Sequence, residues 1–158
     1  MDTICTRTPY VIGAAKTHQC ETNPSTHTAK GVFLGMKAAI EHKMQRDTFD
    51  GLRVAIQGAG SVAFSLSQFL VGAGAKVTVC DPNPAALSHI QNELNVDICD
   101  IENIYDVDCD IFSPCALGHT INLDTIKRIS AKIIAGCANN QLSHPGICLL
   151  YTSPSPRD

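Results

Sequence analysis

An α/β fold built on a doubly wound parallel sheet is what this sequence predicts. Two observations carry the prediction. Short apolar runs alternate with stretches of helical period, in the order helix and then β-α-β-α-β-α-β. A glycine-rich turn joins the first of those strands to the helix that follows it.

Residues 1–24 have no period and form a lead-in segment, in which Tyr10-Val11-Ile12 reads as a short extended piece. From Thr28 the pattern is helical: Ala29, Val32, Phe33, Met36 and Ile40 recur at i, i+3, i+4, i+7 and i+11. Ser25 or Thr26 is the expected N-cap, and the helix is expected to end near Arg46, before a turn over Asp47–Gly51. Arg53–Gln57 is a buried strand, followed by Gly58-Ala59-Gly60 and a helix over Val62–Val71 that Gly72 and Gly74 stop. Lys76–Cys80 is the second strand. Asn83 then caps a helix with Pro84 at its first position, running to about Leu94. Val96–Cys99 is a short third strand, and Ile101–Val107 a short helix or turn. Cys109–Phe112 begins another strand, closed by Pro114. Asn122 or Asp124 caps a helix to about Ile129, and Lys132–Gly136 is the last strand. The pattern places helices on both faces of the sheet.

Residues 25–146 thus form one domain. Residues 147–158, with their Ser/Pro alternation and no helical or strand period, read as a translated cloning or sequencing adapter and are set aside as non-native.

Composition narrows the function. With 158 residues, 44% hydrophobic and 17% charged, the chain is globular and can bury a core without disulfides or metal. A net charge of -3 and the lack of any Lys/Arg block argue against nucleic acid and anionic membranes as partners. Trp is absent and aromatics are 5%, so no stacking platform for single strands is written. The apolar runs break well before membrane-spanning length, and the N-terminus lacks a secretory pattern. The eight cysteines form no C-x-x-C pair, so they read as reduced core thiols of a cytoplasmic protein, and no metal site is expected.

The strongest chemical signal is Gly58-Ala59-Gly60-Ser61-Val62-Ala63, a G-x-G-x-x-A turn between strand and helix. Gly58 permits the tight turn, Gly60 lets the backbone approach a pyrophosphate, and Ala63 keeps the helix close to the strand. Phosphates would sit on the free N–H groups and positive dipole end of the helix. Asp81 closes the next strand, 21 residues beyond Gly60, where a carboxylate accepts ribose hydroxyls. It would also repel a 2′-phosphate, and no Arg lies between Arg53 and Arg128 to compensate, so NAD is expected over NADP. The plainer reading of Asp81 is a turn residue before Pro82. These features make the domain a Rossmann-type, NAD-binding one. Two later segments, Pro114–Gly118 and Gly136–Gln141, fall at strand ends, where ligands bind in open parallel sheets. On the residues alone, Asn139-Asn140 reads first as a turn or cap. Cys115 reads as a packed thiol, with His119 nearby only in sequence, and is not taken as a nucleophile.

Together these segments resemble the cofactor-binding domain of the Glu/Leu/Phe/Val dehydrogenase family, most of all its leucine-acting branch. The resemblance rests on Thr28–Phe33, Gly51–Gly58, Asp108–Gly118 and Ala135–Leu142, and covers about Thr8 to Gly146. The segments PCALG and ANNQL are far more specific than the glycine turn. The family usually has Asn at position 61 and Gly at 63, where Ser and Ala stand here. The resemblance implies that Thr28 sits near the nicotinamide end of the cofactor. It implies that Gly58, Gly60, Ser61 and Val62 hold the pyrophosphate, Asp81 the adenosine ribose, that Cys115 and Ala116 line the cleft, and that Asn139 lies near the nicotinamide ribose. It implies NAD-dependent oxidative deamination of an L-amino acid, leucine or another apolar one, to a 2-oxo acid and ammonia. The catalytic Lys and Asp of the family lie in a separate N-terminal domain. Lys16, Lys30, Lys37 and Lys43 have unsuitable contexts, so no catalytic residue is expected here. The resemblance therefore implies a domain truncated at both ends, inactive alone, and homo-oligomeric when intact. The alternatives are a non-catalytic NAD-binding module and another Rossmann dehydrogenase.

Overall fold

The computed structural model describes residues 7–8 and 23–152. The extended piece expected at Tyr10-Val11-Ile12 lies outside them. Helix α1 (Pro24–Met44) buries Ala29, Met36 and Ile40, as its period predicts. Its N-cap is Asn23, not Ser25 or Thr26. Pro24 holds the residue before it in extended backbone, the conformation a cap needs, and Asn23 Oδ1 accepts the Ser25 N–H at 3.0 Å. The helix stops two residues before Arg46, where Gln45 takes a left-handed cap with φ 53°.

Strands β1 (Arg53–Gln57) and β2 (Lys76–Cys80) have the expected bounds. Between them, α2 (Ser61–Gly72) starts directly at the glycine turn. Gly72 is its last residue rather than its stop. The stop is Gly74, at φ +86°, where a Cβ would lie 2.7 Å from Asp50 Oδ1. Helix α3 (Pro84–Leu94) is capped by Asn83, whose side chain accepts from Ala85 and Ala86 N–H. Strand β3 (Asp97–Ile98) and a 3₁₀ turn (Ile101–Asp106) follow.

Strand β4 (Ile111–Pro114) includes Pro114 instead of being closed by it, and β5 is reduced to Ile133–Ile134. The helix expected from Asn122 or Asp124 to Ile129 is only a 3₁₀ turn, Thr125–Lys127. Side chains there bond the backbone in ways that close a turn. Asn122 Oδ1 accepts the Asp124 and Thr125 N–H groups at 3.0 Å, and the Thr125 hydroxyl donates to Thr120 O at 2.7 Å. A last helix, α4 (Ile147–Thr152), falls in the stretch that showed no helical period, and Ile147 is buried.

The sheet order is β3-β2-β1-β4-β5, all parallel. Val54 sits between Val77 and Ile111 in register. One face, with Val54, Ile56, Val77, Val79, Ile111 and Ile133, packs on α1, α2 and α3. The other, with Ala55, Cys80 and Phe112, packs on Ile104, Cys109 and Ala131. Both faces are covered, but the second by the 3₁₀ turn and loop residues rather than by α-helices. Its Ala55 and Cys80 are small, so Ile104 and Tyr105 of a single 3₁₀ turn reach across, with Tyr105 5.7 Å from the Phe112 ring. The chain reverses its winding between β3 and β4. The switch point therefore lies at the carboxyl ends of β1 and β4. Among the described residues, no helix is long and apolar enough to cross a membrane.

Candidate functional site

Strand β1 delivers its carboxyl end to the switch point, and the glycine turn begins there. Gly58 has φ +111°, which side chains rarely adopt. Its N–H donates to Cys80 O at 2.8 Å. A Cβ on it would meet Ala116 Cβ at 3.1 Å and the Cys115 carbonyl carbon at 3.2 Å. Gly58 is thus the residue that lets β1 and the end of β4 close together.

Gly60 differs. Its backbone is ordinary extended structure (φ −72°, ψ −179°), and nothing lies within 4 Å of where its Cβ would be. It is the N-cap of α2, and no side chain caps that helix. The first backbone bond into the helix runs from Phe64 N–H to Gly60 O at 2.9 Å. The space beside Gly60 is open, and the first N–H groups of a helix that no side chain caps are the kind that accept an anion. Ala63 is fully buried and keeps α2 tight on the sheet.

Asp81 reaches this turn from the end of β2. Its Oδ2 accepts the Ala59 N–H at 2.7 Å, and its Oδ1 accepts the Asn83 N–H at 2.8 Å. The carboxylate is therefore a turn residue and a brace for the glycine loop at once. Each oxygen keeps a lone pair for a further donor.

Gly58, Gly60, Asp81, Cys115 and Ala116 line one cleft of about 490 Å³. Ser61 is exposed, and Val62 is half-buried, in the first turn of α2. Thr28 and Asn139 are exposed and do not line this cleft; the Thr28 hydroxyl donates to Pro24 O at 2.9 Å.

Among the lining residues that escaped the sequence reading, Gln57 and Thr120 bring buried polar oxygens. Gln57 is buried and gives its Nε2–H to the Tyr105 hydroxyl at 2.7 Å, which leaves its Oε1 without a partner. Thr120 Oγ1 is likewise buried and unpartnered. A polar residue ending an apolar strand was the available signal for Gln57; Thr120 had none. Both oxygens are closed off from solvent, beneath residues that line the cleft.

The two specific loops meet beside the cleft. Ala138 N–H donates to Pro114 O at 2.9 Å, and His119 N–H to Asn140 O at 2.7 Å. Gly136 is pressed on β4 so closely that a Cβ would lie 2.2 Å from Pro114 O. Asn140 takes a left-handed turn with φ 50°.

The thiols divide by environment. Burial pushes Cys80 up to about 12 and Cys109 up to about 11. Cys115 goes the other way, down to about 7. The Cys137 thiol donates a hydrogen bond to it, and the Ser113 hydroxyl adds to this at 3.3 Å, against the effect of burial. Cys137, as the donor, is pushed up. Cys115 thus differs from the more deeply buried Cys80 and Cys109, and Cys148 is exposed instead of in the core. Among the described residues, no cluster could hold a metal ion.

The family model for Glutamate/Leucine/Phenylalanine/Valine dehydrogenase matches residues 23–89 and 82–153. The chain is 44% identical over 142 residues to leucine dehydrogenase of Bacillus subtilis (strain 168), covering 90% of this chain and 39% of that protein. It is 33% identical to valine dehydrogenase of Streptomyces coelicolor, covering 93% of this chain and 41% of that one. The crystal structure of L-tryptophan dehydrogenase from Nostoc punctiforme superposes with a TM-score of 0.76 at 39% identity, over 79% of this chain and 38% of that one. A hetero-hexameric glutamate dehydrogenase from Thermus thermophilus shares the fold, with a TM-score of 0.73 at 17% identity, over 95% of this chain and 39% of that one. The chain thus spans about two fifths of the length of the curated relatives it matches.

Proposed function

The chain belongs to the Glutamate/Leucine/Phenylalanine/Valine dehydrogenase family, and from that membership we propose that it is the NAD-binding part of an amino-acid dehydrogenase. The reaction proposed is oxidative deamination of leucine or another apolar L-amino acid to its 2-oxo acid and ammonia. The observation that carries the cofactor reading is the uncapped first turn of α2, opening above Gly60 and faced by Asp81.

NAD, when bound, accepts the hydride released from the substrate α-carbon. What this chain contributes is position. The N–H groups of Ser61 and Val62 hold the pyrophosphate at the positive end of α2, and Gly60 leaves the room. Asp81, already fixed by Ala59 and Asn83, accepts the adenosine ribose hydroxyls and disfavours a 2′-phosphate. Ala116 backs Gly58, and Cys115 forms the cleft wall. Thr28 and Asn139 serve the nicotinamide end on the strength of the resemblance. The Lys and Asp that handle water and protons are assigned to a domain outside this chain. The intact enzyme is proposed to be a homo-oligomer.

A titration of the purified chain with NADH, followed by the fluorescence of NADH, tests the reading, with NADPH as the control. The absence of Trp keeps the protein background low. Saturable binding that favours NADH is expected, and Asp81→Ser should remove the preference. A folded chain that binds neither nucleotide, or binds NADPH as tightly, overturns it. Steady NADH formation from leucine and NAD by this chain alone would refute the assignment of catalysis elsewhere.

A further inference from the structure

We propose that Cys115, in the wall of the Asp81 cleft, and Cys137 on the neighbouring chain segment are a peroxide-responsive dithiol, closing to an intramolecular disulfide on oxidation. The pair is built by the fold. Pro114 ends β4, and the chain leaving β5 runs against it, with Gly136 pressed on Pro114 and Ala138 N–H bonded to Pro114 O at 2.9 Å. Cys115 follows the first of these residues, and Cys137 lies between the other two. The β4–β5 register, with Ile111 opposite Ile133 and Phe112 opposite Ile134, continued along both chains sets Cys115 opposite Cys137, and the backbone contacts on either side keep the two residues adjacent. Neighbouring strands of a sheet lie about 4.8 Å apart, inside the Cα span of about 4.4–6.8 Å that a disulfide bridges.

The two thiols have distinct chemical parts. Cys115 lines the open cleft, so a small oxidant reaches it, and its lowered proton affinity leaves a share of thiolate near neutral pH. Cys80 and Cys109 are buried and held protonated, so they react slowly. The Cys115 thiolate attacks one oxygen of hydrogen peroxide. The O–O bond breaks, hydroxide leaves, and sulfur becomes a sulfenic acid. Cys137 then attacks that sulfur, the S–O bond breaks, and water leaves with the Cys137 proton. Two thiols are oxidised by two electrons, and one peroxide is reduced to two waters.

The chemistry does not rest on the proposed function. The test treats the full chain with hydrogen peroxide, alkylates the remaining thiols and maps the linked peptides. The expected result is loss of two hydrogens per chain, with a Cys115–Cys137 link restored to thiols by dithiothreitol. In Cys137→Ala, which removes both the second thiol and its donor hydrogen, the Cys115 sulfenic acid should persist and be trapped by dimedone. The pH midpoint for alkylation of Cys115, near 7 in the wild type, should rise in that variant. A link joining other cysteines, or a Cys115 that stays reduced while Cys148 oxidises, overturns the proposal. So does an alkylation midpoint for wild-type Cys115 at the ordinary thiol value, a readout that needs no variant to fold.

Discussion

Gly58 and Gly60 are predicted to fail in different ways when each is replaced by alanine. At Gly58 the backbone has φ +111°, beyond the left-handed well that L-residues tolerate. A Cβ in that region costs about 1–3 kcal/mol. It also meets three atoms at 3.1, 3.2 and 3.3 Å, two of them backbone of residues 115 and 116. Those atoms are held, since Cys115 N–H bonds to Gln57 O at 2.8 Å. Crowding of this kind adds about 1 kcal/mol. Gly58→Ala should therefore lose about 2–4 kcal/mol, which for a domain of this size lowers the melting temperature by roughly 5–15 °C. At Gly60 the backbone is ordinary and the space is open, so alanine costs no more than about 1 kcal/mol as a poorer helix cap. Its methyl group instead fills the room proposed for the pyrophosphate, and NADH affinity should fall at least about tenfold, near 1.4 kcal/mol. Thermal melts by circular dichroism and NADH titrations on both variants make the check. A Gly58→Ala chain that melts with the wild type would refute the strain argument. A Gly60→Ala chain that binds NADH like the wild type would refute the phosphate assignment.

Gly136→Ala should be more damaging than Gly58→Ala, because its Cβ would lie 2.2 Å from Pro114 O and only separation of the two chain segments relieves that; a melt within about 4 °C of wild type, worth roughly 1 kcal/mol, would contradict it. Alkaline pH should destabilise the fold from about 9 upward. Buried Cys80 and Cys109 have proton affinities raised from 9.0 to about 12 and about 11, so their stabilisation is complete below 9 and is lost as pH rises through those values. Urea melts across pH 8–11 measure the slope, which should flatten in Cys80→Ala and Cys109→Ala.

What was legible in the sequence was whatever neighbouring residues decide. Asn83 before Pro84 is a local cap, and α3 begins where the pair says; the apolar runs of β1 and β2 give their bounds. The half of the sheet beyond the switch point is governed by distant partners, and the reading loosened there. Asp110 reads as part of a strand from Cys109, yet its Oδ2 accepts the Arg53 N–H at 2.9 Å while its own N–H donates to Arg53 O. A side chain thus stands in for one ladder bond, and the strand proper opens only at Ile111.

The site follows the same division. Gly58, Gly60 and Asp81 fall in one βαβ unit, so their spacing alone announced them. The orphaned oxygen of Gln57 arises because Tyr105, on the far side of the β3 crossover, takes the amide hydrogen. The thiol pair is invisible to any search for closely spaced cysteines, because parallel pairing of β4 with β5 is what sets Cys137 beside Cys115. In a parallel sheet the strand ends that build a cleft are joined only through crossovers. Residues of one crossover can be read from spacing, but chemistry shared between two crossovers exists only once the strands have paired. The peroxide test therefore probes the β4–β5 pairing itself: if those strands did not pair in this register, Cys115 and Cys137 would have no reason to link.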